Sequence, residues 1–174
     1  MSILTKLEEV ERLRLMVSLI VHAILGIVVI AIVMKLNPAI FKRVPDGPPL
    51  STLEIAYWVI GIVSLPLCWY FNIKYVYAYA DNPFWGQGNW SEFIQMGYAN
   101  YSSSSQVADY TIINVILLPL FTIVDGRRRG IRHPWLFFVS SLFTSCVFAF
   151  AFYFATIERQ RRHQLAMAEV NSGV

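Results

Sequence analysis

The chain has 174 residues and a net charge of +3, and 56% of its residues are hydrophobic whereas only 14% are charged. An average soluble domain is about 45–50% apolar and about 25% charged. The mean hydropathy of +0.52 therefore excludes a soluble globular domain, a disordered chain and a secreted disulfide scaffold. Because four apolar runs occupy most of the chain, too few residues remain for a separate soluble catalytic domain. We predict a small, multi-pass integral membrane protein.

The four apolar runs are the candidate membrane spans, since a hydrocarbon core of about 30 Å needs about 20 apolar residues in a helix. They cover residues 15–34, 55–73, 107–124 and 135–157. Lipid offers the backbone no hydrogen-bond partners, so each run should be helical. The predicted fold class is an all-α membrane protein, a bundle of four transmembrane helices with an interfacial segment between the second and third.

The connections between these runs differ in character. Residues 35–53 are rich in proline, which predicts an ordered loop or interfacial segment. The long connection after the second run contains Trp and Tyr, which favour the headgroup zone, so residues 90–98 are predicted to form a short interfacial helix. The serines at 102–105 are predicted to cap the third helix. Residues 125–134 are short and basic, which predicts an antiparallel hairpin of the third and fourth spans.

Two regions follow from this organisation. Residues 1–53 are predicted to form an N-terminal transmembrane helix with its loop, and residues 54–174 a three-helix membrane domain whose polar C-terminal tail continues the last helix. Four spans place both chain ends on one side of the membrane. The Lys and Arg residues then divide seven against seven, so the positive-inside rule does not assign the orientation. The arginine-rich loop at 127–132 nevertheless favours the cytoplasmic side locally.

Several short segments resemble a known family. They are Phe93 followed by Ala99-Asn100, the serine run, Asp109 at a helix start, Asp125-Gly126-Arg127-Arg128, and Ile157-Glu158-Arg159 in the last aromatic helix. On these segments, residues 57–162 resemble an uncharacterised family of small, mainly bacterial, three-helix membrane proteins. The family has no assigned function, so the resemblance implies a membrane fold and no activity. Residues 1–53 lie outside it.

His22 lies near the middle of the first span, where ionisable side chains are costly and often functional. Ser18 and Gly26 lie four residues to either side and share its helix face. A small residue one turn before a histidine leaves room for a flat macrocycle, in a pattern similar to that of the antenna polypeptides of photosynthetic bacteria. One interpretation is therefore a site in which His22, Ser18 and Gly26 hold a (bacterio)chlorophyll or another tetrapyrrole. The alternative is a hydrogen bond from His22 to a neighbouring helix through small-residue packing.

Polar residues inside the other spans allow two interpretations. In one interpretation Asp109 and Asn114 of the third span line a proton or substrate path. In the other, Asp109 is an interfacial acid near a helix N-terminus, and Asn114 makes one amide contact with a neighbouring helix. Small and polar residues also recur at helical spacing along the second and fourth spans, and we predict that they form packing seams. They are Tyr57, Gly61, Ser64, Cys68 and Asn72 in the second span and Ser141, Ser145 and Ala149 in the fourth.

The basic loop is the candidate lipid contact. Arg127, Arg128, Arg129 and Arg132 are predicted to bind anionic headgroups, at about 1 kcal/mol per basic residue near the surface, or to serve only as a topology signal. Basic residues confined to helix ends exclude a nucleic-acid partner.

These patterns predict a non-enzymatic protein, since the sequence has no catalytic triad, metal-ligand motif or phosphate loop. The leading hypothesis is an accessory subunit of a larger photosynthetic or respiratory membrane complex. Its partners would be other membrane subunits and lipids, and a tetrapyrrole, carotenoid or quinone is the cofactor it would contact; no metal site is predicted. The alternative is a small transporter or channel that acts as an oligomer. The predicted location is a bacterial inner membrane or a photosynthetic membrane.

Overall fold

The computed structural model describes residues 3–44, 48–79 and 87–172. Within these ranges every regular element is helical. The elements in chain order are α1 (Ile3–Leu36), α2 (Pro38–Phe41), α3 (Thr52–Tyr79), α4 (Trp90–Met96), α5 (Tyr101–Thr111), a π-helical turn (Ile112–Leu117), α6 (Leu118–Arg128), α7 (Trp135–Phe143) and α8 (Cys146–Ser172).

Three helical stretches are long and apolar enough to cross a membrane: Leu19–Leu36 within α1, Thr52–Tyr79, and Tyr101–Arg128. The third combines α5, the π-helical turn and α6 in one span. Large apolar side chains cover the outer surfaces of all three, as expected for helices that face lipid. The prediction of an all-helical, multi-pass membrane protein is therefore confirmed, and so are the first three spans.

The predicted fourth span is wrong, because residues 135–157 do not form one straight helix. α7 ends at Phe143, and α8 begins at Cys146 after a break at Thr144 (φ −122°, ψ −100°). The chain reverses direction at this break. The ring centroid of Phe137 lies 5.1 Å from that of Phe152, although one straight helix would separate these residues by about 22 Å. α7 and α8 thus form a helical hairpin.

Local polar contacts explain why the chain can reverse at this point. Ser145 is the N-cap of α8, since its Oγ accepts a hydrogen bond from the backbone N–H of Phe148 at 2.9 Å. Thr144 donates its hydroxyl hydrogen to the carbonyl oxygen of Ser140 at 2.6 Å, and its backbone N–H bonds to the same oxygen. The end of α7 and the start of α8 therefore both have hydrogen-bond partners inside the chain.

Both ends of the hairpin lie at the same end of the helix bundle. Ahead of α7, the backbone N–H of Arg132 bonds to Asn37 Oδ1 at the end of α1, at 2.8 Å. In α8, Arg159 binds Glu54 in the first turn of α3. We call this end of the bundle the basic end and the opposite end, which carries α4, the aromatic end.

The hairpin tip reaches the middle of the bundle. Ser145 Oγ lies 2.9 Å from Ser64 Oγ, and Ser64 is ten residues, or about 15 Å, along α3 from Glu54. The hairpin therefore enters about half of a hydrocarbon core of about 30 Å and returns. α1 begins at the aromatic end whereas α8 finishes at the basic end, so the prediction that both chain ends share one side is also wrong.

The core lies between the hairpin and the spans. Phe137, Phe152 and Tyr153 are fully buried there and pack with Val29 and Val33 of α1. Of the predicted seams, Gly61 and Ser64 of α3 do pack at α8, where Ser64 meets Ser145, but the predicted row in the fourth span is broken because Ser141 belongs to α7. A Cβ atom added at Gly61 would lie 3.1 Å from the Cβ atom of Ala151, so the glycine lets the two helices approach closely.

At the aromatic end, the predicted interfacial helix is present, but the third span begins earlier than the sequence predicts. The predicted interfacial helix is α4, and Asn89 Oδ1 caps it by accepting the N–H of Ser91 at 2.9 Å. The third span begins earlier than predicted, because Asn100 and not the serine run caps α5. Asn100 Oδ1 accepts the N–H groups of Ser102 and Ser103 at 3.1 and 3.0 Å. At the other end, the polar tail continues α8 to Ser172, as predicted.

Candidate functional site

The hairpin gathers most of the positive charge at the basic end. Ten of the fourteen Lys and Arg residues belong to segments at this end: Lys35, Lys42, Arg43, Arg127, Arg128, Arg129, Arg132, Arg159, Arg161 and Arg162. Four belong to the aromatic half: Lys6, Arg12, Arg14 and Lys74. The predicted division of seven against seven is therefore corrected to ten against four, because α8 returns to the side from which α7 entered.

Glu54 is the buried charge of the basic end, with 1% of its surface exposed. One carboxylate oxygen accepts Arg159 Nη1 at 2.8 Å and the other accepts Arg162 Nη1 at 3.3 Å. Arg159 also donates to the carbonyl oxygen of Lys42 at 3.0 Å, and Arg162 donates to that of Pro48. This network joins α3, the proline-rich loop and α8.

Sequence reasoning missed this network, although one local signal was present. Ser51 Oγ accepts the backbone N–H of Glu54 at 3.1 Å, so Ser51 is the N-cap of α3 and Glu54 lies in its first turn. A Ser-x-x-Glu pattern before an apolar run indicates such a helix start. The partner Arg159 is 105 residues away, and no local pattern connects the two.

The four predicted lipid-binding arginines occupy different environments. Arg129 Nε lies 2.6 Å from Asp125 Oδ2, which also accepts the hydroxyl of Tyr153 at 2.7 Å. Arg127, Arg128 and Arg132 are exposed and form no ion pair within the described residues. These arginines lie in and around the turn that follows α6. The turn contains Gly130, whose φ of 71° suits glycine. The cluster therefore contains one compensated arginine and three uncompensated ones.

Two adjoining cavities of about 450 Å³ and about 250 Å³ open at the basic end. Ala39, Ile40 and Gln160 line both, and Arg132 lines the smaller one. Gln160 Nε2 donates to the carbonyl oxygen of Arg129 at 2.7 Å, whereas Gln160 Oε1 is buried without a hydrogen-bond partner. Most of the lining is apolar, with a basic group at one edge.

His22 lies where the hairpin tip, α3 and α4 meet. Its ring centroid is 5.3 Å from that of Phe143, 5.6 Å from that of Trp90 and 5.7 Å from that of Trp69. Three aromatic side chains therefore pack around the imidazole within this chain, as in the alternative interpretation, in which His22 belongs to the packing between helices. The predicted cofactor role of His22 stays a prediction without support from these contacts.

The two neighbours predicted to share the His22 site differ in what the structure shows. Gly26 meets the hairpin tip, where an added Cβ atom would lie 3.1 Å from the carbonyl oxygen of Phe143 and 3.3 Å from Thr144 Cγ2. Gly26 therefore makes room for the backbone of the tip. The side chain of Ser18 lies outside the described part of the chain.

The structure does not bring Asp109 and Asn114 together along a path. Asp109 is exposed on α5, and neither of the two cavities contains Asp109 or Asn114. Asn114 lies in the π-helical turn, where its Nδ2 donates to the hydroxyl of Tyr110 at 3.3 Å and its Oδ1 is buried without a partner. π-helical turns occur frequently at functional sites. Among the residues that the structure describes, no three His, Cys, Asp or Glu side chains are placed to hold a metal ion.

Three membrane-spanning helices and a helical hairpin that enters from the basic end define this chain as a polytopic helical membrane protein. A family model described as "Protein of unknown function DUF2834" matches residues 56–159, and the chain belongs to this family. The match confirms the resemblance to an uncharacterised family that the sequence showed. It includes the second and third spans and most of the hairpin. No curated protein and no solved structure matches the chain.

Proposed function

We propose that this protein is a non-catalytic accessory subunit of a larger membrane complex, which it joins through its third span. The supporting observation is the pair formed by Tyr110 and Asn114. Only 11% of the most apolar part of Tyr101–Arg128 is buried inside the chain, and 51% of the surface of Tyr110 is exposed. Lipid tails offer polar groups no partners, whereas a neighbouring helix supplies them. Asn114, whose Oδ1 is buried within this chain, donates to the hydroxyl of Tyr110, and the half-exposed tyrosine at membrane depth favours a partner helix at its face.

The proposed location is a bacterial inner membrane or a photosynthetic membrane, with the basic end in the cytoplasm. Ten basic residues against four support this orientation, because Lys and Arg accumulate in cytoplasmic segments. The N-terminal end of α1 then lies outside and the end of α8 inside.

Single-cysteine labelling of intact cells tests this topology. Gln95 in α4 and Gln164 in α8 are both exposed, and each is replaced by cysteine in a chain whose Cys68 and Cys146 are alanine. A membrane-impermeant maleimide should label Gln95→Cys directly and Gln164→Cys only after permeabilisation. A straight fourth span would place both positions on one side, so equal labelling of intact cells would contradict the hairpin.

The subunit role is tested by native separation of the tagged protein in mild detergent. The wild type should migrate in a band much heavier than its 19.9 kDa. Replacing Asn114 by leucine or Tyr110 by phenylalanine should release the free protein, because each removes part of the polar pair. Phe71→Leu is the matched control, since Phe71 is 66% exposed on α3 and makes no contact with this pair. A wild-type band at monomer mass would overturn the proposal.

The same band tests the photosynthetic or respiratory version of the proposal, in which the subunit contacts a tetrapyrrole, carotenoid or quinone. A visible absorption spectrum recorded across the band detects a pigment or haem. If the band is coloured, loss of the chromophore in His22→Ala would support the ligand role, whereas a retained chromophore would end it.

The second candidate function is a small transporter or channel that acts as an oligomer. The specific observation that favours it is the hairpin tip, because a break in a helix at membrane depth is tolerated where it is buried in protein or lines a water-filled cavity. Ser140, Ser141, Thr144 and Ser145 place four hydroxyl groups there, each hydrogen-bonded within the chain. An Asn114→Cys variant that reacts with aqueous thiol reagents would favour transport, and an unreactive cysteine would exclude a water path along the third span.

A further inference from the structure

We infer that the paired cavities at the basic end bind the headgroup of one anionic phospholipid of the phosphatidylglycerol type, with Arg132 at its phosphate. This inference rests on the proposed orientation only for the choice of the cytoplasmic leaflet. It does not depend on the accessory-subunit role.

The position of the cavities places them at headgroup level. Leu36 is the last residue of the first membrane span, and it lines the smaller cavity together with Asn37. The larger cavity continues from there between α2 and the part of α8 that follows Gln160. A lipid beside α1 therefore has its acyl chains along the apolar span and its headgroup at the mouth of these cavities.

The charge pattern selects an anionic lipid. Four arginines of the basic end are compensated: Arg129 by Asp125, Arg159 and Arg162 by Glu54, and Arg161 by Glu158. The other six basic residues of this end form no ion pair in the described ranges: Lys35, Lys42, Arg43, Arg127, Arg128 and Arg132. Anionic lipids of the cytoplasmic leaflet attract such residues. Of the six, Arg132 lines a cavity.

The cavity walls combine apolar and polar side chains, which fits the headgroup region of a phospholipid. Ala39, Ile40 and Met167 provide apolar surface for the glycerol backbone and the first methylene groups. Gln160 belongs to the wall that both cavities share, and its Oε1 lacks a hydrogen-bond donor. Phosphatidylglycerol carries both a phosphate for Arg132 and headgroup hydroxyls that can hydrogen-bond the polar side chains of the cavity walls, Gln160 and Gln164. Phosphatidylcholine has the phosphate and no hydroxyl, and it is neutral overall.

The test is native mass spectrometry of the delipidated full chain in detergent, titrated with phosphatidylglycerol or with phosphatidylcholine of the same acyl chains. Arg132→Gln removes the charge and keeps the backbone N–H that bonds to Asn37 Oδ1. Ala39→Phe places a bulky side chain at the wall that both cavities share and leaves the charge unchanged. Arg161→Gln is the matched control, since Arg161 is 64% exposed at the same end of the bundle, is paired with Glu158 and lies outside both cavities.

We expect the wild type to bind one phosphatidylglycerol molecule in preference to phosphatidylcholine. Arg132→Gln should weaken this binding about fivefold, the contribution of one basic residue at a lipid surface. Ala39→Phe should abolish the single bound lipid, and Arg161→Gln should retain it at nearly wild-type affinity.

Three results would overturn the inference. Equal weakening by Arg132→Gln and Arg161→Gln with no effect of Ala39→Phe would show diffuse attraction to charge. Equal binding of the two lipids would show that the headgroup is not recognised, and competition by water-soluble glycerol phosphate would assign the site to a soluble ligand. Reversed labelling in the topology experiment would move the site to the other leaflet without changing lipid binding in detergent. Failure of the proposed orientation can therefore be distinguished from failure of the lipid site.

Discussion

Replacing Arg159 by alanine should strongly destabilise the fold. Glu54 is 1% exposed, and the Arg159 side chain is only 15% exposed, so solvent screens their 2.8 Å contact weakly. Removing one partner of a buried ion pair costs about 3–5 kcal/mol, because the other charge stays buried. Arg162 still contacts Glu54 at 3.3 Å, which places the expected loss at the lower end, about 3 kcal/mol. The lost hydrogen bonds to the carbonyl oxygens of Ile40 and Lys42 act in the same direction.

The measurement is the free energy of unfolding in mixed micelles, from titration with a denaturing detergent followed by circular dichroism. Arg161→Ala is the matched control on the same helix. Arg161 is 64% exposed and lies 3.7 Å from Glu158, and such surface pairs contribute about 0–1 kcal/mol. Equal losses for Arg159→Ala and Arg161→Ala would refute the argument that the buried network stabilises the basic end. Adding Glu54→Gln to Arg159→Ala should lower stability further, because it leaves the guanidinium of Arg162, which is 12% exposed, without its carboxylate partner.

Three further predictions use the same unfolding measurement. Ser145→Ala should cost about 1 kcal/mol through loss of the α8 cap, whereas Ser105→Ala, at an exposed position of α5, should have no measurable effect. Gly26→Ala should cost about 1–3 kcal/mol, because its methyl group meets the backbone oxygen of Phe143 at 3.1 Å; an unchanged stability would contradict the close approach of α1 to the hairpin tip. Asn100→Ala should lower stability by about 1 kcal/mol and reduce helicity at the start of α5, and unchanged hydrogen-exchange protection there would contradict its role as the cap.

Much of the architecture could be predicted because it depends on local composition. The first three spans follow from run length and hydropathy, which the bilayer thickness converts directly into helices. The interfacial helix α4 follows from Trp and Tyr between polar residues, and the helical tail of α8 from its polar, helix-compatible sequence. The packing seam along α3 follows from residues such as Gly61 at helical spacing.

The hairpin and the charged network depend on contacts between distant residues, so run length does not reveal them. Hydropathy measures how apolar residues 135–157 are, but it carries no information about the direction of the chain. The signal for the reversal is Thr144-Ser145, where a cap residue precedes an apolar run, and flanking phenylalanines conceal it. For the same reason no local pattern pairs Glu54 with Arg159, although the fold brings their side chains to 2.8 Å.

The hairpin and the charge distribution support each other physically. A straight helix through residues 135–157 would carry the arginines that follow it to the opposite side of the membrane, and moving Arg side chains through the hydrocarbon core is costly. Folding back after Phe143 keeps Arg159, Arg161 and Arg162 at the end from which the hairpin entered. There, Glu54 supplies a carboxylate in the first turn of α3 that binds two of them. The arginines after Ile157 therefore oppose a fourth crossing, and the buried ion pairs stabilise the returned segment.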